Sequence, residues 1–139
     1  MTPETLAALH AQCFAVPRPF SAEEFRSYLT SDICFLLTCN GGFALGRAIV
    51  DEAELITLAV DPARRRQGLG RTLLRDFEAE AQRRGAERAF LEVAASNRAA
   101  ARLYQASGYR QTGVRKRYYR LSGGQAENAL VLEKALKRD

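Results

Sequence analysis

The sequence predicts a mixed α/β domain, a mostly antiparallel central sheet with helices packed on both faces. Three observations carry this. Apolar runs at 33–38, 43–50 and 54–60 are separated by the turn signals Asn40-Gly41-Gly42 and Asp51-Glu52-Ala53, the pattern of an antiparallel meander. Two segments with helical periodicity, about 68–84 and Arg98–Ala106, then alternate with further extended runs. The chain has 139 residues, of which 47% are apolar, which suits one compact domain over 1–139 and argues against disorder.

Each element has a local reason. Pro3–Cys13 reads as a helix with Leu6 and Leu9 on one side. Ser21-Ala22-Glu23-Glu24 is a capping box, so a second helix starts there, with Phe25, Tyr28 and Leu29 as its apolar face. The three meander strands follow, and Asp61-Pro62 ends the third because proline removes a ladder donor. In the long helix Leu73, Leu74, Phe77 and Ala81 form the buried stripe, and Gly85 stops it. Residues 88–93 are a strand. Asn97 caps the helix that runs to Ala106, with a stop at Gly108. Residues 109–112 and 114–119 are extended, 121–125 form a mobile glycine-containing loop, and 128–134 make the last strand.

The most informative stretch is Arg65-Arg66-Gln67-Gly68-Leu69-Gly70-Arg71, between an apolar strand and a helix. Glycines let a backbone approach an anion closely, a helix start adds the positive end of its dipole, and arginines add charge-assisted contacts to phosphate oxygens. The stretch therefore points to a pyrophosphate-bearing ligand; the plainer alternative is a glycine turn with solvated arginines. A Walker loop is excluded because the chain has no Gly-Lys pair, and a dinucleotide fingerprint because Leu73 stands where its third glycine is needed.

Composition limits the partners. Net charge is +5, with much of the excess in 64–71 and 115–120. Such a balance suits a polyphosphate, an acidic surface or nucleic acid. The second cluster includes Tyr118 and Tyr119, which leaves an RNA surface open as an alternative. No run is long enough to span a membrane, and Met1-Thr2-Pro3-Glu4 does not open a signal peptide, so a cytoplasmic location with no membrane partner is expected. Cys13, Cys34 and Cys39 fit no zinc spacing and read as reduced thiols, so no metal is expected.

Leu58-Ala59-Val60-Asp61-Pro62 followed by residues 65–71 resembles the acetyl-coenzyme A signature of the GCN5-related N-acetyltransferase (GNAT) superfamily. Phe90-Leu91-Glu92-Val93, Ser96-Asn97, Ala101-Arg102-Leu103-Tyr104, Gly108-Tyr109 and Arg115-Lys116-Arg117-Tyr118-Tyr119 extend the resemblance from about position 43 to the end. Within the superfamily the pattern is most similar to the RimI-type branch, the bacterial ribosomal-protein alanine N-acetyltransferases. The resemblance implies a GNAT fold, with a V-shaped splay between the third meander strand and the 89–93 strand to take a pantetheine arm.

It also implies acetyl-CoA as co-substrate. Main-chain groups of Leu58, Ala59 and Val60 would meet the acetyl and pantetheine portion. Those of Arg66, Gln67, Gly68, Leu69, Gly70 and Arg71 would hold the pyrophosphate. Asn97 would bond the pantetheine arm, beside its plainer role as a cap. Glu92 aligns with the branch's proton acceptor and Tyr104 with its proton donor. The chemistry is helped by both, or on the amine side by a site that depresses the amine pKa. An α-amine with a pKa near ~8 must lose a proton to attack, and a departing thiolate with a thiol pKa near ~8.5 gains from receiving one. The alternatives are a strand glutamate facing solvent or an arginine, and a tyrosine that serves the core; Tyr109 reads as packing.

The acceptor implied is the N-terminal alanine of a small-subunit ribosomal protein with a basic start. Asp51, Glu52 and Glu54 are candidates to attract it, and Tyr118 and Tyr119 to wall its groove. Pro19-Phe20-Ser21 and Glu127-Asn128 depart from the family's proline-tryptophan-serine and acidic-pair patterns. Two other functions remain on this reading: a GNAT acetyltransferase for a small amine or lysine side chain, and a non-catalytic acyl-CoA sensor or RNA-binding module.

Overall fold

The computed structural model describes residues 1–15, 18–120 and 124–136. Residues 121–123, most of the expected mobile loop, lie outside that range. Two helices come first, α1 (Pro3–Cys13) and α2 (Ala22–Leu29), then β1 (Cys34–Cys39), β2 (Gly42–Ile49) and β3 (Glu52–Val60). A short 3-10 turn (Pro62–Arg64) leads to α3 (Leu69–Arg83), β4 (Arg88–Ala94), α4 (Arg98–Ala106), β5 (Arg110–Arg120) and β6 (Ala126–Ala135). The expected helices and strands are all present within a few residues, and among the described residues only the 3-10 turn is additional.

Local chemistry sets the ends. Thr2 caps α1 by accepting from Thr5 N at 3.1 Å. Both halves of the Ser21–Glu24 capping box form on α2. Arg18 also grips Glu24 with two nitrogens at 2.7 and 3.0 Å. The Arg18 bonds, helped by the Ser21 amide, hold the Glu24 carboxyl down from an ordinary 4.5 to about 2. Its folded pKa is depressed, so its contribution to stability is present above pH 4.5 and fades as the pH falls through 2. Glu24→Gln is expected to lower Tm at neutral pH, and the two melting curves should converge as the pH drops toward 2.

Among the described residues the sheet has six strands in the order β1-β2-β3-β4-β6-β5. All neighbours are antiparallel except β3 and β4. On one face Leu73, Leu74 and Phe77 of α3 and Tyr104 of α4 pack with Leu55, Leu91 and Leu132. On the other, Leu6 of α1 and Phe25 of α2 pack with Phe43, Leu45 and Ala59. Helices thus cover both faces.

One irregularity shapes the middle of the sheet. Leu45 pairs with Thr57 while its neighbour Gly46 pairs with Leu55, so Ile56 is an extra residue in β3. Such a bulge bends its strand and reverses the alternation of side chains. Ala53 and Leu55 accordingly face α3, whereas Ile56 and Ala59 lie with α1 and α2. The parallel pairing with β4 stops at Glu54–Phe90, immediately before the bulge. Beyond it β3 runs on to Val60 and β4 to Ala94 with no pairing between them.

His10 secures the strand just past the bulge. The ring is buried, with Phe20 N–H donating to Nδ1 at 2.9 Å, so Nε2 carries the proton and donates to Thr57 Oγ1 at 2.8 Å. Burial among Phe14, Phe20, Phe25 and Phe43 pulls its pKa down to about 4, so the imidazole is neutral.

Candidate active site

The gap between β3 and β4 is the centre of the site. Asp61 N–H donates to Gly41 O at 2.7 Å, on the β2 side. Successive amides of a strand point to opposite sides, so those of Val60 and Leu58 point away from β2 into the gap. The Val60 carbonyl agrees, since it accepts from Cys13 Sγ at 3.3 Å. Ala59 has the opposite sense. Its carbonyl lies only 2.8 Å from where a Cβ on Gly42 of β2 would stand, and the residue is 1% exposed. The edge can therefore offer main-chain groups of Leu58 and Val60 to a ligand, while those of Ala59, expected in the same set, belong to the β2 ladder.

The Arg65–Arg71 stretch leads into the start of α3. Gly68 is its N-cap, at φ 78, with no side-chain cap and no acidic residue in the first turn. A helix start normally leaves orphan N–H donors and favours negative charge; here the first turn carries Arg71 instead. Arg66 is also left-handed, at φ 67. Alternating left-handed residues turn consecutive amides toward one concavity, an anion-binding nest. Arg65, Arg66 and Arg71 are exposed and pair with no described carboxylate. Charge, dipole and orphan donors all call for an anion. Gly70 has a second reason to be glycine, because a Cβ there would lie 3.1 Å from Leu103 of α4 and 4.0 Å from Leu58. That contact also brings α4 beside the gap.

Glu92 and Tyr104 lie on opposite faces of the sheet, Glu92 on the unpaired part of β4 and Tyr104 on α4. Leu91 and Val93 of β4 belong to the α3 core, so Glu92 projects to the other face. Its side chain is 19% exposed and pairs with Arg115 Nε at 2.9 Å. Burial pushes its pKa up, Arg115 pulls it down, and Glu54 pushes it up again. Tyr104 lies within the α3–α4 core, 7% exposed, edge-on to Tyr109 at 6.0 Å. Its hydroxyl bonds no described residue, and burial pushes the phenol pKa well above its ordinary 10. Behind it Tyr109 donates to Glu78 at 2.9 Å, and Glu78 also accepts from Lys134 at 2.9 Å. Tyr109 is thus anchored packing, as its sequence context indicates.

Asn97 caps α4 through Oδ1, which accepts from Ala100 N at 3.2 Å. Its amide NH2 stays available to a ligand. Both residues of the Glu127-Asn128 pair, the departure from the family pattern near the end, have structural tasks: Glu127 accepts from Ser96 N, and Asn128 accepts from Arg117 N at 2.9 Å. Surface depressions of about 670 Å³ beside Ser96 and Asn128 and about 530 Å³ beside Glu54 and Phe90 flank the site without containing Glu92 or Tyr104.

Two features escaped sequence reasoning. Arg115 lies in a basic stretch and gave no sign of its partner. Between the pairs Arg115–Ala129 and Tyr119–Glu127, residues 116–118 face Asn128 alone, an excursion that brings the Tyr118 and Tyr119 rings to 5.2 Å. Tyr119 is half-buried, and burial followed by the Glu92 charge raises its pKa to about 12. The acidic turn also differs from expectation. Glu54 pairs with Arg47, and Glu52 with Arg88 at 2.7 Å, so two of its three carboxylates are neutralised.

The chain is similar to known proteins in sequence and in fold. Residues 4–109 match the family model described as the acetyltransferase (GNAT) family. The chain is 39% identical to the ribosomal protein bS18-alanine N-acetyltransferase of Escherichia coli K12, over 94% of this chain and 90% of that one. It is 36% identical to the N-alpha-acetyltransferase RimI of Mycobacterium tuberculosis, over 86% and 80%. It superposes on a crystal structure of the ribosomal-protein alanine N-acetyltransferase from Escherichia coli with a TM-score of 0.83 at 33% identity, covering 96% of this chain and 86% of that one.

Proposed function

We propose that this chain, which belongs to the acetyltransferase (GNAT) family, transfers the acetyl group of acetyl-CoA to the N-terminal α-amine of an alanine-initiated small-subunit ribosomal protein. The observation that carries the reading is the unpaired β3–β4 gap, with an uncapped, arginine-flanked helix start beside it and the Glu92 carboxylate on its β4 edge. The similarity to named alanine N-acetyltransferases over nearly the whole chain supports the choice of acceptor. We read residues 1–139 as one acetyltransferase domain working in the cytoplasm. No helix of the described residues is long and apolar enough to cross a membrane.

In this reading the amides of residues 66–71 bind the pyrophosphate, and the edge groups of Leu58 and Val60 orient the pantetheine arm and the thioester. The Asn97 amide adds a donor to that arm. The neutral amine attacks the thioester carbonyl from the Glu92 face, and its proton passes to the Glu92 carboxylate, directly or through a water. Collapse of the tetrahedral intermediate breaks the C–S bond, and Tyr104 gives its proton to the leaving sulfur. A peptide α-amine, with a pKa near ~8, is far easier to deprotonate for this attack than a lysine near ~10. The acceptor is taken to start with a basic segment; Glu52 and Glu54 are occupied by arginines, so of the acidic turn Asp51 is the carboxylate with no salt bridge to a described residue.

Gly68→Ala isolates the pyrophosphate grip. Nothing lies within 4 Å of the added methyl, so the strain comes from φ 78 alone. Left-handed backbone costs a side-chain-bearing residue roughly 1–2 kcal/mol. The KM for acetyl-CoA is expected to rise about tenfold with kcat nearly unchanged. For the reading as a whole, mass spectrometry should find acetylated alanine on a small-subunit ribosomal protein in cells that have this gene and a free amine in cells that lack it. Acetylation that is unchanged in its absence contradicts the acceptor assignment.

A further inference from the structure

Arg115 stands on β5, two strands away from β4, and its side chain crosses β6 to reach Glu92 at 2.9 Å. The Tyr118 ring lies behind it, 5.1 Å from the guanidinium carbon, in cation–π range. Tyr118 can reach that position because residues 116–118 bulge out opposite Asn128, with Arg117 at φ 54 and its amide tied to Asn128 Oδ1. A costly backbone excursion thus places an aromatic face behind one particular arginine. The basic character of 115–120 therefore does not translate into a free cationic surface at its first residue.

We propose that Arg115 is a positioning residue for the transfer step: it fixes the Glu92 carboxylate across the mouth of the gap and holds it in the ionised form that accepts the proton. This rests on Glu92 being the proton acceptor. An unheld glutamate has three torsions free to wander, and the ion pair with a backed guanidinium removes that freedom. A guanidinium is permanently charged, so it favours the ionised carboxylate at every pH at which the transfer runs. The other groups facing Glu92 are Glu54 of β3, itself paired with Arg47 of β2, and Tyr119 of β5. Among these only Arg115 favours the ionised carboxylate directly.

The full-length protein, labelled with carbon-13 at glutamate carboxyls, gives a direct test. The Glu92 resonance is identified by its loss in Glu92→Gln. In Arg115→Gln its titration midpoint is expected to move up by roughly half to one pH unit, less than the one to three units of a close, buried pair because Arg115 is half exposed. The acid limb of kcat/KM should move up with it. Arg115→Lys keeps the charge and is expected to restore most of the shift, while its kcat/KM stays below that of the unsubstituted protein because the Nε contact is lost. A midpoint that does not rise in the Gln variant, or that stays equally displaced in the Lys variant, overturns the inference. Full turnover by Glu92→Gln would instead remove the proton-acceptor reading itself, so the two failures are distinguishable.

Discussion

Glu92→Gln is expected to lower kcat/KM for an alanine-initiated peptide by about 10²–10⁴-fold at neutral pH, the usual contribution of a positioned base. The KM for acetyl-CoA should barely change, because no main-chain group of the coenzyme site is touched. Stability should not fall either. Burial is the largest influence on Glu92 and raises its folded pKa, with Arg115 opposing and Glu54 adding. Such a carboxyl stabilises the fold only while protonated, and the benefit is lost as the pH rises through its folded pKa. At neutral pH the ionised form is a cost that the amide does not carry. Steady-state kinetics and a melting curve on the same preparation check both halves: a loss of activity with no loss of Tm.

Tyr104→Phe is expected to lower kcat by about 10²-fold or more while leaving the KM for acetyl-CoA and the fold in place. The ring keeps its core position against Tyr109, and the hydroxyl removed bonds no described residue. Burial pushes the phenol pKa far above neutrality, so Tyr104 always arrives protonated and acts only as a donor. The diagnostic measurement uses acetyl thioesters whose thiols differ in acidity. A more acidic thiol leaves without help, so the Phe variant should recover toward the unsubstituted rate as the thiol pKa falls. A deficit that is constant across the thioester series would assign Tyr104 to packing alone.

Much of this was legible because the signals are local. Ser21 with Glu24, Gly41 and Gly85 end or turn their segments through the backbone chemistry of single residues, and the structure shows each turn or cap where expected. The Gly68–Gly70 stretch was readable for the same reason: a left-handed cap with no acidic side chain in its first turn is written in the residue types. The bulge at Ile56 was not. Its apolar neighbours satisfy a plain strand pattern, and only the pairing with β2 shows the extra residue.

The long-range pairings were hidden for a related reason. Arg115 and Glu92 are far apart in the chain and meet only because β5 and β4 both pair with β6, across which the arginine reaches. Glu52 and Glu54 looked like free acidic bait because Arg88 and Arg47 come from other strands. Ala59 shared a motif with Leu58 and Val60, but alternation of main-chain direction separates it from them. Gly70 serves a contact with Leu103 that nothing in its own neighbourhood announces.

The most direct measurement of the central claim mixes the purified protein, acetyl-CoA and a peptide that begins with alanine and carries an internal lysine, then locates the added group by tandem mass spectrometry. The account predicts one acetyl group, on the α-amine, with free coenzyme A released in equal amount. Acetyl on the lysine alone, or tight coenzyme binding with no transfer to this peptide, would contradict it.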